Sequence, residues 1–172
     1  MEISIRPLQE ADLDTVVDLW LKSSIKAHSF IEASFWEGQV NAMREVYIPS
    51  ADTWVADYEG MLVGFVSLNE EMLAALFVHP FFQGNGIGKQ LLQFAMEQSD
   101  SLVLSVYKEN KRAMDFYRKQ GLRPFRSRLI STLECPRLLW CGKTSSAGFY
   151  DIKKGVPVGA PLFATSIARC TS

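Results

Sequence analysis

Three glycines at positions 84, 86 and 88 punctuate the stretch Gln83-Gly84-Asn85-Gly86-Ile87-Gly88-Lys89. An apolar run over residues 73–78 ends at His79-Pro80 just before it, and Ile87, Leu91, Leu92, Ala95 and Met96 follow at helical spacing. The order is therefore strand, glycine loop, helix N-terminus. Such a loop lets unpaired backbone N–H groups converge on an anion, and the helix dipole adds favourable potential at the same place. Glycine at 86 and 88 would let phosphate oxygens approach the backbone where any Cβ would obstruct them, and Lys89 adds charge at the helix start. The stretch is read as a phosphate cradle. It is neither a Walker loop, since Gln90 rather than Ser or Thr follows Lys89, nor a dinucleotide fold, since no βαβ start with an acid on a second strand is present.

Other groups capable of chemistry are few. The two histidines are His28, inside the aromatic-rich stretch 26–36, and His79, at the end of the apolar run. Phe30, Phe35 and Trp36 share that stretch with His28, so it reads either as a wall of a substrate site or as a loop packed on the core. His28 itself reads as a substrate-side group or as a structural histidine. His79 lies beside the glycine loop. Cys135, Cys141 and Cys170 are odd in number, with no CxxC pair and no His nearby, so neither a disulfide framework nor a zinc site is expected, and no metal.

The elements that must position these groups follow from periodicity. Residues 2–6 alternate as a short strand closed by Pro7, and Leu13, Val16, Val17, Trp20 and Leu21 mark an amphipathic helix ending near Ser23-Ser24. A second helical pattern runs over residues 35–47 and stops at Pro49. Residues 53–58 and 61–68 alternate as strands joined by a hairpin turn at Glu59-Gly60. Residues 72–78 are continuously apolar, as in a central strand covered on both faces. Beyond the glycine loop and its helix come a strand over 101–107 and a helix over 111–120, capped by Gly121. The expected fold is α/β (α+β), a mixed, mostly antiparallel central sheet with helices on both faces.

Gln83, Gly86 and Gly88 fit the pattern Q/R-x-x-G-x-G/A, and Asn110, Ala113, Phe116, Tyr117 and Gly121 fit N-x-x-A-x-x-F-Y-x-x-x-G beyond the next strand. With the N-terminal strand and paired helices, residues 3–121 resemble the GNAT superfamily of acyl-CoA-dependent N-acetyltransferases, in its small bacterial form. The resemblance implies direct transfer of acetyl from acetyl-CoA to a primary amine, either a small molecule or a protein lysine. It implies that Leu76, Phe77 and Val78 splay from the neighbouring strand and pair with the pantetheine arm. Gln83, Gly84, Asn85, Gly86, Ile87, Gly88 and Lys89 would receive the pyrophosphate. Asn110 would touch the cofactor or cap its helix, the capping role being the better supported by residue type. Tyr117 matches the family's general acid, the alternative being a core tyrosine, and the Val78 N–H its oxyanion donor. His28, Phe30 and Trp36 are the candidates for the acceptor side. Many family members carry Glu on the fourth strand, where this chain has Ala74 and Ala75; Glu70 and Glu71 lie just upstream, and deprotonation through ordered water is the alternative.

The chain has 172 residues, 48% hydrophobic, with formal net charge −1. That balance is ordinary for a globular domain and lacks the basic excess of a general nucleic-acid binder. No apolar run reaches the length of a membrane span and the first residues carry acids, so cytoplasmic residence without nucleic-acid or membrane partners is expected, as monomer or homodimer. The domain is expected over residues 1–143. Residues 125–143 are atypical: Arg126, Arg128 and Arg137 follow no period where the family has two more strands. If one nucleotide was lost in the codon for Pro124, the restored frame can be read, among the choices the codons allow, as alternating strands with a stop available near Thr144-Ser145, so an out-of-frame origin from about Phe125 is one reading. Residues 144–172 mix Gly, Pro, Ser and small apolar residues and are expected to be an irregular tail. A CoA-binding protein of this fold without transferase activity, a sensor or degenerate subunit, is the competing functional reading; a third is a partner-binding domain using an exposed sheet edge.

Overall fold

The computed structural model describes residues 2–126, 137–143 and 170–171. Its centre is an eight-stranded sheet in the order β1-β2-β3-β4-β5-β7-β6, with β8 beside β4. The strands are β1 (Ser4–Pro7), β2 (Asp52–Tyr58), β3 (Met61–Asn69), β4 (Met72–Val78), β5 (Ser101–Tyr107), β6 (Arg123–Arg126), β7 (Arg137–Lys143) and β8 (Cys170–Thr171). β1 to β4 form an antiparallel run, and the Glu59-Gly60 turn between β2 and β3 has positive φ at both positions, as a tight hairpin turn requires. Pro7 and Pro124 fall on the two edge strands, where a missing N–H removes no ladder bond and discourages further pairing.

Two apolar clusters cover the two faces. On one face α4 (Ile87–Glu97) and α5 (Lys111–Lys119) bring Ile87, Leu91, Leu92, Ala113 and Tyr117 onto Leu76, Val78, Leu102, Leu104 and Val106. On the other, α1 (Leu13–Ala27) and the helical segments after it pack Val16, Trp20, Trp36 and Met43 onto Val55, Phe65, Ala75, Phe77 and Tyr107. The sheet is thus buried on both sides at its centre, which is why β4 reads as an unbroken apolar run.

Three features differ from the sequence reading. The helical stretch 35–47 is broken: α2 (Ala33–Glu37) stops at Gly38, and α3 (Val40–Ala42) leads into a π-helical turn, Met43–Tyr47. The apolar spacing carries across Gly38-Gln39, but the helix axis does not. The last two strands, left doubtful by the scattered arginines, are present, with β7 antiparallel to β5 along its whole length, from Ser101↔Lys143 to Tyr107↔Arg137. Within the stretch read as irregular tail, Cys170 and Thr171 form β8, parallel to β4 opposite Leu76 and Phe77; residues 144–169 lie outside the described residues.

Candidate active site

β4 carries one residue more than β3 across a bulge. Ser67 lies opposite Ala75 and Leu68 opposite Leu73, so Ala74 has no partner. The extra residue places Leu73 and Leu76, three apart, against the same cluster. A bulged strand bends, and here the bend separates β4 from β5. The two strands run parallel and share the single register pair Met72↔Val103, with Val103 N–H donating to the Glu71 carbonyl at 2.9 Å. Beyond it β5 continues along β7, and the β4 edge turned away from β3 is met by the two residues of β8 instead of by β5.

The groups on that edge are fixed by the ladder on the other side. His79 N–H donates to Val63 C=O at 2.8 Å, and Gly64 faces Val78. In antiparallel pairing, hydrogen-bonded and non-bonded pairs alternate, so Gly64 and Val78 exchange no bonds and the Val78 N–H and C=O point away from β3, into the gap. The carbonyl is taken by Gln83 Nε2, donating at 3.1 Å. The N–H is a buried donor aimed where β5 has departed. Cys170 and Thr171 sit on the same edge, parallel to β4 opposite Leu76 and Phe77, a register that gives the Val78 N–H the Thr171 carbonyl as its partner.

Past Val78 the chain makes a short 3-10 turn, Pro80–Phe82, with His79 as its cap, its Nδ1 accepting from the Phe81 N–H at 3.4 Å. Asn85 Nδ2 donates to Phe82 C=O at 3.2 Å, folding the loop on itself. Gly84 and Gly86 have φ of +86° and +80°, the left-handed region that favours glycine. Gly86 is the residue before α4, and its carbonyl accepts the first helical bond from Gln90 N–H at 3.1 Å. The N–H groups of Ile87, Gly88 and Lys89 therefore belong to the turn that has no intrahelical acceptors. Ile87 and Gly88 are buried, while Lys89 is exposed at the mouth. Glycine loop, helix start and the Val78 N–H thus lie on one continuous stretch of backbone.

α5 brings Tyr117 to the same side. Asn110 Oδ1 caps the helix by accepting from Ala113 N–H at 3.0 Å. At the other end Gly121, φ +87°, closes a Schellman pair of bonds: Gly121 N–H to Arg118 C=O and Leu122 N–H to Tyr117 C=O, both 3.1 Å. Tyr117 is fully buried in the cluster that holds Leu76, Val78 and Ile87, with its ring edge-on to Phe116.

The acceptor-side candidates divide. Phe30 is 37% exposed; Trp36 and His28 are buried behind it. The His28 ring contacts Phe30, Trp36 and Tyr107 at centroid distances of 5.6, 5.3 and 5.5 Å. Its Nδ1 lies 2.8 Å from Ser24 C=O and its Nε2 3.2 Å from Asn110 Nδ2. Tyr107, which the sequence did not single out, closes this cluster from β5, and by alternation Ser105 shares its face. Ser24 Oγ and Ser105 Oγ are buried with no hydrogen-bond partner among the described residues. Single serines in apolar runs carry no sequence signal of this kind.

No carboxylate lies along β4. Ala74 and Ala75 are buried there, and Glu70 and Glu71 are exposed in the β3–β4 turn. At strand rise, Glu71 is about 23 Å from Val78. Among the described residues no group of three or more His, Cys, Asp or Glu could hold a metal ion. No helix among them is long and apolar enough to cross a membrane.

Residues 49–124 match the family described as an acetyltransferase (GNAT) domain. The chain is 40% identical over 118 residues to the peptidyl-lysine N-acetyltransferase YiaC of Escherichia coli (strain K12), covering 68% of this chain and 81% of that protein. It is 32% identical over 124 residues to the peptidyl-lysine N-acetyltransferase YjaB of the same organism, covering 72% and 84%. The solution structure of apo YjaB superposes with a TM-score of 0.70 at 30% identity, over 82% of this chain and 96% of that one. The crystal structure of PaiA N-acetyltransferase from Thermoplasma acidophilum with coenzyme A shares the fold, with a TM-score of 0.68 at 21% identity over 83% and 99% of the two chains. By its match to this domain and its likeness to relatives 40% and 32% identical, the chain, with its bulged β4, glycine loop opening α4 and tyrosine-bearing α5, belongs to the GNAT acetyltransferase family.

Proposed function

We propose that this acetyltransferase moves an acetyl group from acetyl-CoA directly to the side-chain amine of a protein lysine, with small primary amines as the wider acceptor class. The observation that carries the reading is the Val78 N–H, buried and turned into the gap between β4 and β5, on the same backbone that supplies the glycine loop. The lysine preference rests on YiaC and YjaB, both named peptidyl-lysine N-acetyltransferases, and the cofactor on the coenzyme A held by the PaiA structure.

The residues fit such a donor. A pyrophosphate suits the unpaired N–H groups at the start of α4 beside Gly84 and Gly86, with Lys89 supplying the nearby positive charge. A pantetheine arm suits the β4 edge that faces away from β3, where its amides would pair as a strand does. For pairing along Leu76 and Phe77, Cys170 and Thr171 must leave that edge. Gln83 keeps the Val78 carbonyl occupied, so that the N–H alone is presented once Thr171 has left the edge.

Transfer to an amine requires three things of the protein: a donor for the negative charge that develops on the thioester oxygen, a proton for the leaving thiolate, and a route for the proton lost by the amine. Val78 N–H supplies the first. Tyr117 supplies the second, a phenol having a pKa close enough to that of an alkyl thiol and a ring that tolerates burial. With no carboxylate on β4, the amine proton leaves through water, for which the buried hydroxyls of Ser24 and Ser105 are the available holders on the α1 face.

A second reading, binding of CoA without transfer, is favoured by the alanines at 74 and 75 and by β8 lying on the donor edge. Thiol release from acetyl-CoA in the presence of a lysine peptide separates the two. Wild type is expected to release CoA in proportion to peptide acetylated, and Tyr117→Phe to lose on the order of 100-fold in kcat, the usual worth of a general acid. Equal rates for Tyr117→Phe and wild type would remove Tyr117 as the acid; tight binding with no release would favour the second reading.

A further inference from the structure

His28 and Asn110 are 82 residues apart and joined by a buried hydrogen bond; the residues are 0% and 6% exposed. Its polarity can be worked out. Asn110 Oδ1 accepts from the Ala113 N–H, so the amide NH2 is the group facing His28. An amide NH2 can only donate, so His28 Nε2 must carry its lone pair toward it. The neutral ring then has its proton on Nδ1, and Nδ1 lies 2.8 Å from the Ser24 carbonyl, which accepts it. Each group in the chain from Ser24 through His28 and Asn110 to Ala113 thus has one compatible role. With its Nε2 lone pair engaged, His28 is not placed to take a proton from an acceptor amine.

We propose that His28 is a positioning residue: it locks the amide of Asn110, and through that cap the start of α5, to the aromatic segment that begins at His28 itself. One end of the link is the cluster of Phe30, Trp36 and Tyr107 around the imidazole. The other is the helix on which Tyr117 stands two turns further along, already fixed at its far end by the Gly121 bonds. Ring packing alone does not require an imidazole, since a phenyl would fill the same space. What the imidazole adds is an acceptor at Nε2 together with a donor at Nδ1. Without the acceptor, the Asn110 amide loses the contact that holds its oxygen toward Ala113. The inference rests on the assignment of Tyr117 as the acid, and its consequence is that the acceptor wall and the proton donor are held in one register.

Three substitutions dissect the link. His28→Phe keeps the ring, His28→Asn keeps a polar group near the Nδ1 position, and His28→Gln keeps an acceptor near the Nε2 position. The expected result is a kcat lowered on the order of 10-fold in the Phe and Asn variants, with the KM for acetyl-CoA unchanged and His28→Gln restored to near wild type, the size of effect set by a small displacement of a catalytic group. Wild-type kcat in His28→Phe, or equal losses in the Asn and Gln variants, would overturn the proposal. Tyr117→Phe measured beside them separates the two assignments: wild-type turnover in that variant removes Tyr117 as the acid, whereas its loss with an intact His28→Phe removes the link. A long-range 1H–15N spectrum of the wild-type imidazole, at a pH where the ring is neutral, needs no turnover. A proton on Nδ1 is expected, and a proton on Nε2 would overturn the proposal.

Discussion

Replacing Gly64 by alanine probes the geometry that holds Val78 in place. A Cβ at Gly64 would lie 2.8 Å from the Phe77 carbonyl oxygen, 3.1 Å from Leu91 Cδ1 and 3.5 Å from Val78 Cα. The leucine methyl can yield; the carbonyl belongs to the ladder pair Phe65↔Phe77 and cannot retract alone. β3 and β4 must therefore move apart at the residue opposite Val78. Overpacking of this kind costs about 1–3 kcal/mol, and alanine's smaller unfolded-state entropy offsets about 0.4–1 kcal/mol. The net loss is roughly 1–2 kcal/mol, and at about 2–4 °C per kcal/mol for a chain of this size Tm should fall by about 2–8 °C. Because the shift falls on the strand that carries the proposed oxyanion donor, kcat should also drop, by about threefold to tenfold. Thermal unfolding by circular dichroism and thiol release measure the two effects. Gly60→Ala is the control: its φ is +81° with nothing within 4 Å of the new Cβ, so it should cost about 1–2 kcal/mol of stability through backbone strain while leaving kcat intact. If Gly64→Ala melts at or above the wild-type temperature with full activity, the tight β3–β4 approach does not constrain the site.

Gly86→Ala, at φ +80° before α4, should weaken acetyl-CoA binding with a stability loss of about 1–2 kcal/mol, read by calorimetry and melting; unchanged affinity would remove this loop from the donor site. Removing residues 144–172 takes β8 off the edge of β4 and should tighten acetyl-CoA binding, whereas an unchanged or weaker Kd would show that the edge is not where the donor pairs. The carboxylate of Asp12 is held below its usual pKa of 3.8, first by its hydrogen bonds from Arg6, at 2.6 and 2.9 Å, against an opposing desolvation, and further by the Gln9 N–H. A lowered folded-state pKa gives stability that is present above the unfolded value and is lost as pH falls through the folded one. Wild type and Asp12→Asn should therefore differ by a constant amount above about pH 5 and converge below pH 3.8. Solvent at Arg6 keeps the difference below about 1 kcal/mol. A gap that widens on acidification would contradict the assignment.

The parts legible in the sequence are those written in one stretch of chain. The alternation of residues 53–58 and 61–68, the glycines before α4, and Asn110 and Gly121 bracketing α5 each encode a local conformation, and each is found where its residue types require. The bulge at Ala74 was not legible, because a run apolar on both faces has no alternation for an extra residue to disturb. Nor was the break at Gly38, since Trp36, Val40 and Met43 keep helical spacing across it. β7 was hidden for the opposite reason: its apolar Leu138, Leu139 and Trp140 are short and set among arginines, and the pairing that makes them a strand comes from β5, more than thirty residues earlier. His28 read as a substrate-side group or, by residue type, rather as a structural histidine, and its two nitrogens find their partners in α1 and in the cap of α5, which no local pattern encodes.

The central claim, that this fold transfers acetyl to a lysine amine through Val78 and Tyr117, is tested most directly by mass spectrometry of a lysine peptide incubated with acetyl-CoA and the full chain, with free CoA quantified in the same samples. The account predicts one acetyl group gained on the lysine side chain for each CoA released, and loss of both signals together in Tyr117→Phe. Acetyl-CoA bound without peptide acetylation, or acetylation undiminished in Tyr117→Phe, would contradict it.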